Sequence, residues 1–558
     1  MALAAAAVAV AVLVPERWFA PDPGMTVRLE PPFLPISLFR SLLAIDALLA
    51  FGWSAGWSPW PSTRRDGGKD AVCGPPPADS RRGRSSLWLG LLVLGAAGLR
   101  LYGLDAQLWL DEAAVLVGLG DRSPRQLLFA TPTLNNHLLY TLSMLVTTAL
   151  FGAEAWAARL PAALAGIVTV PIVYALGRCA LAERDAWLAA ALVAVSYHHV
   201  FFSQNARGYS MLLMWSMLAT WLFLRALERG RDRDWALYGL ASLLASATAL
   251  FGIFVPAGHA LAWAALWAGR RRSGARGLPC GGRPLVTWAL LGLAVLHIYA
   301  GTFPWVLAMA ADEVSGAPLV KVLSQAERLG MLWRGLRDGL GGIGLAVLGA
   351  LLVPILVAFP AFVRRQPVFT LVLTAPLLLE VAAVSRMAWS PRFFLLALPI
   401  GSLLVVGAAS AWRRGRWLPV LVAAAFALAS LLSLPRYYRI PKQASRDSVA
   451  WVAARARPGD VLVPVDTARW GAMFYASRVA PELDLRAVET LAELELVERD
   501  HREATVWLLT SFEPALRVER PALHASIVRG YRPARRFPAT IEDGEIRIWA
   551  SAPGADDR

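Results

Sequence analysis

Two adjacent carboxylates, Asp111 and Glu112, close the segment Gln107-Leu108-Trp109-Leu110-Asp111-Glu112, just beyond an apolar run. Acids held beside Trp109 and Leu110 at a membrane surface are partly desolvated, which favours proton acceptance or a bound cation. Asp111 is the first choice for a general base acting on an attacking group, with Glu112 as helper. A divalent cation at Asp111 and Glu112 is the alternative, and no other cofactor is expected. A structural reading competes: an Asp-Glu pair at a helix start complements the helix dipole. Asn135-Asn136-His137, with Tyr140 one turn on, likewise has two readings. It caps a helix, or it turns Asn136, His137 and Tyr140 toward a ligand.

Three arginines stand in connections where cations are disfavoured on the outer side of a membrane. Arg207 lies in Ser203-Gln204-Asn205-Ala206-Arg207-Gly208-Tyr209, and Arg386 and Arg392 lie in Ser385-Arg386-Met387-Ala388-Trp389-Ser390-Pro391-Arg392-Phe393-Phe394. A guanidinium group offers paired donors to a phosphate or carboxylate. Arg207, Arg386 and Arg392 are therefore candidate ligands for an anionic headgroup, with Gln204 and Tyr209 beside them. An internal ion pair of Arg207 with Asp111, Glu112 or Glu154, or contact with bulk lipid, would be the structural alternative. His198 and His199 read as interfacial aromatics and not as metal ligands.

The elements that position these residues are membrane helices. The chain is 57% hydrophobic and 17% charged, with mean hydropathy +0.49, against roughly 45–50% and 25% in ordinary soluble domains. Runs long enough to span lie at 87–104, 157–177, 185–202, 208–226, 234–250, 252–269, 285–302, 341–361, 367–385, 393–411 and 417–434, about eleven in all. The apolar segment 138–152 is too short and is expected to lie along the surface, in the first outer loop. That choice puts Arg81/Arg82/Arg84, Arg178/Arg184, Arg225/Arg229/Arg231/Arg233, Arg270/Arg271/Arg272/Arg276, Arg364/Arg365 and Arg413/Arg414/Arg416 on the cytoplasmic side, as the positive-inside bias demands. Loops 105–136, 203–207, 303–340 and 386–392 then face outward, as does the tail.

The formal charge of +15 is thereby that of cytoplasmic loops, and no nucleic-acid partner is expected. Cys73, Cys179 and Cys280 have no metal-ligand spacing. Residues 1–86 form an N-terminal extension holding a run, 36–57, interrupted by Arg40 and Asp46. In the tail, 447–456 has helical spacing, and 461–465, 506–509 and 546–549 read as strands. The expected fold is mainly α, a polytopic transmembrane helical bundle at 87–435 followed by a small extracytoplasmic α/β domain at 436–558.

Taken in order, Trp109-Leu110-Asp111-Glu112, Asn136-His137-Leu138-Leu139-Tyr140, Arg159-Leu160-Pro161, Ser203-Gln204-Asn205-Ala206-Arg207-Gly208-Tyr209 and Pro391-Arg392-Phe393 resemble the C-type (GT-C) polytopic glycosyltransferases. The branch is that of protein mannosyltransferase and aminoarabinose transferase relatives, glycosyltransferase family 39, over residues 87–434. The resemblance implies an inner-membrane enzyme that takes its sugar from a polyprenyl-phosphate donor, inverts the anomeric carbon, and uses Asp111 as catalytic residue at the outer face. Its acceptor would be an extracytoplasmic protein, lipid or glycan. Asn205 stands where the family more often has an acid. A secondary transporter or lipid flippase also fits about a dozen helices, but such proteins usually show two similar halves and mid-membrane ionisable groups, and neither is evident. A scaffold whose tail binds an envelope partner is a third option.

Overall fold

The computed structural model describes residues 40–45, 82–120, 137–273, 280–300, 325–384, 391–412 and 415–551. Most of the run 36–57, all but 40–45, and most of the expected extension lie outside them. In chain order the main helices are α1 (Arg82–Leu101), α2 (Leu110–Gly120), α3 (Leu138–Phe151), α4 (Ala155–Gly177), α5 (Glu183–Val195), α6 (Tyr197–Ser203), α7 (Tyr209–Arg229), α8 (Asp232–Thr248), α9 (Phe254–Arg272), α10 (Arg283–Ile298), α11 (Gln325–Arg365), α12 (Pro367–Val384), α13 (Ala397–Ala411) and α14 (Leu418–Arg439). The apolar runs fall on all of these except α2 and α3, with α5 and α6 serving as one. Among the described residues six helices, α4, α7, α9, α11, α12 and α14, are long and apolar enough to cross a bilayer, and the bent pair α5–α6 makes a seventh. Helices α1, α10 and α13 are apolar but shorter. Eleven therefore stays an expectation, while six or seven is what length and apolarity support.

Helix α3 has 14 residues, about 21 Å at ~1.5 Å per residue, short of the ~30 Å hydrocarbon layer. The segment expected as the outer loop 303–340 is helical from Gln325, and α11 breaks only at Gly341 (φ 65°, ψ 167°), a conformation that glycine alone adopts cheaply.

Contacts divide the chain into two compact units. The first comprises Met1–Tyr102, Ser123–Thr147 and Arg159–Ser433. Lipid tails are as apolar as leucine, so a membrane bundle coheres through close backbone approach and internal polar contacts. Gly258 of α9 supplies the former: a Cβ there would run into the backbone of Pro376 in α12. Arg100 supplies the latter. It is fully buried, and its guanidinium donates to the carbonyls of Ala194 (2.9 Å), Val193 (3.1 Å) and Ala96 (3.0 Å) and lies 2.8 Å from His199 Nδ1. The Val193 and Ala194 carbonyls end α5, where the chain bends by 56° into α6. A charged side chain thus satisfies helix-end acceptors that water does not reach.

The second unit comprises Gly103–Arg122, Thr148–Ala158 and Leu434–Arg558. Its five-stranded sheet has the order β2-β1-β3-β5-β4, with β1 Val461–Pro464, β2 Asp484–Leu485, β3 Val506–Ser511, β4 Tyr531–Phe537 and β5 Ile546–Ser551. Strand β1 runs parallel to β2 and β3, and β5 is antiparallel to β3 and β4. The expected strands are β1, β3 and β5, and the expected helix is α15 (Ser445–Ala453). Asp460 ties the start of β1 to β3, accepting from Thr505 N (2.8 Å), Arg457 N (2.9 Å) and Trp507 Nε1 (3.2 Å). Burial opposes its charge, but these donors outweigh burial and hold the carboxyl below its ordinary range.

Candidate functional site

In the second unit, the acidic segment is held by residues far along the chain. The Leu108 N–H donates to Tyr475 Oη (2.8 Å) and the Leu110 N–H to Gln443 Oε1 (2.9 Å). Gln107 Oε1 accepts from the N–H groups of Arg446 (2.8 Å) and Asp447 (3.1 Å), capping the first turn of α15 from outside that helix. Leu108 and Ala113 are buried in the same apolar cluster as Val449, Leu462, Tyr475 and Ile548. The two carboxylates then part company. Glu112 is fully buried; its Oε2 accepts from Trp109 N (3.2 Å), closing the start of α2, and its Oε1 lies 3.8 Å from Lys442 Nζ. Asp111, in the same first turn, is half-buried. An ammonium group beside Glu112 repels a second cation, so this pair does not fit a divalent metal using both carboxylates. Among the described residues no three His, Cys, Asp or Glu side chains gather as a metal cluster.

In the first unit, the motif around Arg207 separates into supporting and site-facing members. Gln204 is buried, and its amide Nε2 donates to the carbonyls of Arg100 (2.9 Å), Tyr102 (2.6 Å) and Leu99 (3.4 Å), closing the end of α1. Ser203 Oγ donates to the His199 carbonyl within α6 and its continuation. Beyond them, Tyr209 opens α7, and its ring meets that of His137 edge-on at 4.9 Å. His137 is buried at the entrance of α3, and its Nδ1 has no hydrogen-bond partner among the described residues. Gly208 permits this approach, since a Cβ there would stand 2.7 Å from His137 Nδ1. Burial first, and then the charges of Arg207 and Arg392, hold the His137 imidazole well below the ordinary histidine range. Tyr209 thus touches His137 and lines one cavity with Arg392, and the charges of Arg207 and Arg392 both reach the His137 imidazole. Tyr140 is buried in the first turn of α3, whereas Asn136 and Arg386 lie outside the described residues.

Arg392 belongs to a 3-10 turn, Pro391–Phe394. Its guanidinium lies over the Phe393 ring, 5.1 Å from the centroid, and Phe393 stacks on Phe251. A cavity opens beside it, lined by Tyr209, Ser216, Phe251, Glu380, Arg392 and Leu395 among others. Glu380, inside the run 367–385, was not among the expected site residues. The signal was present, because a lone ionisable residue in an apolar span is a functional candidate. Lys442 carried a weaker signal: it is one of three lysines in the chain, with Lys69 and Lys321, among 55 basic residues.

Residues 138–298 match the family model described as dolichyl-phosphate-mannose-protein mannosyltransferase. The fold is similar to that of ArnT from Cupriavidus metallidurans in the apo state, with TM-score 0.53 and 15% identity over 84% of this chain and 99% of that one. It is also similar to the Archaeoglobus fulgidus oligosaccharyltransferase in the apo form, with TM-score 0.50 and 13% identity over 86% of this chain and 76% of that one. No curated protein matches by sequence. The matched segment and the shared architecture together bear out the resemblance to the polytopic C-type glycosyltransferases.

Proposed function

We propose that this protein moves a sugar from a polyprenyl-phosphate carrier to a hydroxyl or amine acceptor at the outer face of the inner membrane. The observation that carries the reading is the grouping in a helical bundle of this fold of Tyr209, which touches the His137 ring and shares a cavity with Arg392, with the Arg207 and Arg392 charges, which add to burial in holding that imidazole below the ordinary histidine range. Two guanidinium groups match the charge and geometry of a phosphate monoester or diester. A carrier lipid can leave its tail in hydrocarbon and bring only its headgroup to them. Neutral His137 then offers a hydrogen bond and no third positive charge. Asn136, Tyr140, Tyr209 and Arg386 complete the set proposed to line the donor, while Gln204 acts by holding the end of α1.

The chemistry is a single displacement. The acceptor oxygen or nitrogen attacks the anomeric carbon from the face opposite the phosphate, the bond from that carbon to the phosphate oxygen breaks, and polyprenyl phosphate leaves with the electron pair. Configuration inverts, and Asp111 takes the acceptor's proton. Glu112, paired with Lys442, fixes the turn that carries Asp111. The phosphate ester brings its own leaving group, so no nucleotide takes part. Positive-inside bias in the arginine clusters supports an outward-facing site.

The test is Asp111→Asn in purified, reconstituted protein, with polyprenyl-phosphate sugars as donors and mass spectrometry of lipid and acceptor products. Loss of a general base costs about 10²–10⁴-fold in rate, with membrane insertion unchanged. Full activity in that variant would remove Asp111 from the mechanism.

A further inference from the structure

Glu380 lies in the last turns of α12, is 6% exposed, and lines the same cavity as Tyr209 and Arg392. Its Oε2 has no hydrogen-bond partner among the described residues. A carboxyl oxygen withdrawn from water and left without a donor carries a substantial desolvation cost, and a membrane helix retains such a group where something visits it. The cavity's lining gives the visitor its chemistry. Tyr209 begins α7, Phe251 and Val255 flank the start of α9, and Leu395 and Leu396 lead into α13, so its lining comes from helix ends and not from the middle of the bundle. One side offers a guanidinium standing on an aromatic platform. The lining also offers an acceptor carboxyl, Glu380, and the hydroxyl of Ser216. The remainder is apolar.

Resting on the lipid-phosphate reading above, we propose that Glu380 is a sugar-recognition residue: its carboxyl takes hydrogen bonds from the ring substituents of the donor's glycosyl group while Arg392 holds the phosphate. The shared chemistry is that of a hydrogen-donating ring substituent. A hydroxyl needs only an acceptor oxygen, and an ammonium needs the charge as well. A glutamine at 380 serves the first and fails the second.

The test uses the full chain in lipid nanodiscs and compares binding of undecaprenyl phosphate with that of undecaprenyl-phosphomannose, undecaprenyl-phosphoglucose and undecaprenyl-phospho-aminoarabinose. Wild-type protein is expected to prefer one sugar-bearing lipid over undecaprenyl phosphate by about tenfold or more, the size of one or two good hydrogen bonds. Glu380→Ala should erase that preference and leave undecaprenyl phosphate binding unchanged. Glu380→Gln should restore the preference for a neutral sugar and not for the aminosugar; should the alanine variant fail to fold, the isosteric glutamine variant, set against the aminosugar lipid, carries the comparison, and an undiminished preference for that lipid overturns the proposal. Two further results overturn it: a preference that survives in Glu380→Ala, or an equal loss of all four lipids in a folded variant. If wild type binds undecaprenyl phosphate but favours no sugar, the Glu380 assignment falls and the carrier reading stands. If wild type binds none of the four lipids, both fall together.

Discussion

Glu112 and Lys442 are both withdrawn from water, with side chains 0% and 4% exposed. Breaking such a pair from one side leaves a buried charge with nothing to answer it, at a cost of about 3–5 kcal/mol. Lys442→Met is therefore expected to lower the unfolding temperature of the second unit and to slow any reaction that depends on Asp111. Adding Glu112→Gln to Lys442→Met should recover part of the stability, because the second change removes the stranded carboxylate. A double-mutant cycle by thermal unfolding reads this directly, and additive losses would show that the two groups do not interact. At this scale residue type and flanking apolar runs single out Asp111, Arg207 and Arg392 as candidates. The sequence was silent about Lys442, Gln443 and Tyr475, which lie 330 to 367 positions from the backbone groups or side chain they support. No local spacing rule reaches that far.

At the scale of elements, the break between α5 and α6 depends on Arg100. Replacing it with methionine keeps the length of the side chain and strands the carbonyls of Val193 and Ala194 without their guanidinium donor. In a membrane bundle no water substitutes readily, so Arg100→Met should cost about 3 kcal/mol or more. Detergent-solubilised protein should unfold at a clearly lower temperature; an unchanged midpoint would mean that the bend holds itself. Apolar runs marked the helices well, because lipid demands long uninterrupted stretches and the sequence has few other places to put them. The bend at Ser196 was hidden, since the run 185–202 is apolar on both sides of it. In the tail, β1, β3 and β5 were legible from their buried apolar residues. Strand β4 was not: its sequence Tyr-Arg-Pro-Ala-Arg-Arg-Phe is largely exposed and carries Pro533 at a register irregularity. Strand β2 has only two residues.

For the molecule as a whole, the topology argued from arginine clusters places the C-terminal tail outside and the α9–α10 connection inside. In a chain stripped of its native cysteines, Glu482→Cys should react with a membrane-impermeant thiol reagent in intact cells. Ser273→Cys should react only once the membrane is opened. Both positions are exposed, so the reverse pattern would invert the topology and move the proposed chemistry to the cytoplasmic face. The anchoring of the acidic segment also has a bearing on biogenesis. Gln107 through Glu112 leave the ribosome more than 300 residues ahead of Gln443 and Tyr475, which later receive them. The nascent chain must thread and insert its helices while that stretch is still waiting for its dock. A message cut short before Gln443 would thus yield a chain whose acidic segment had lost the partners that hold its backbone.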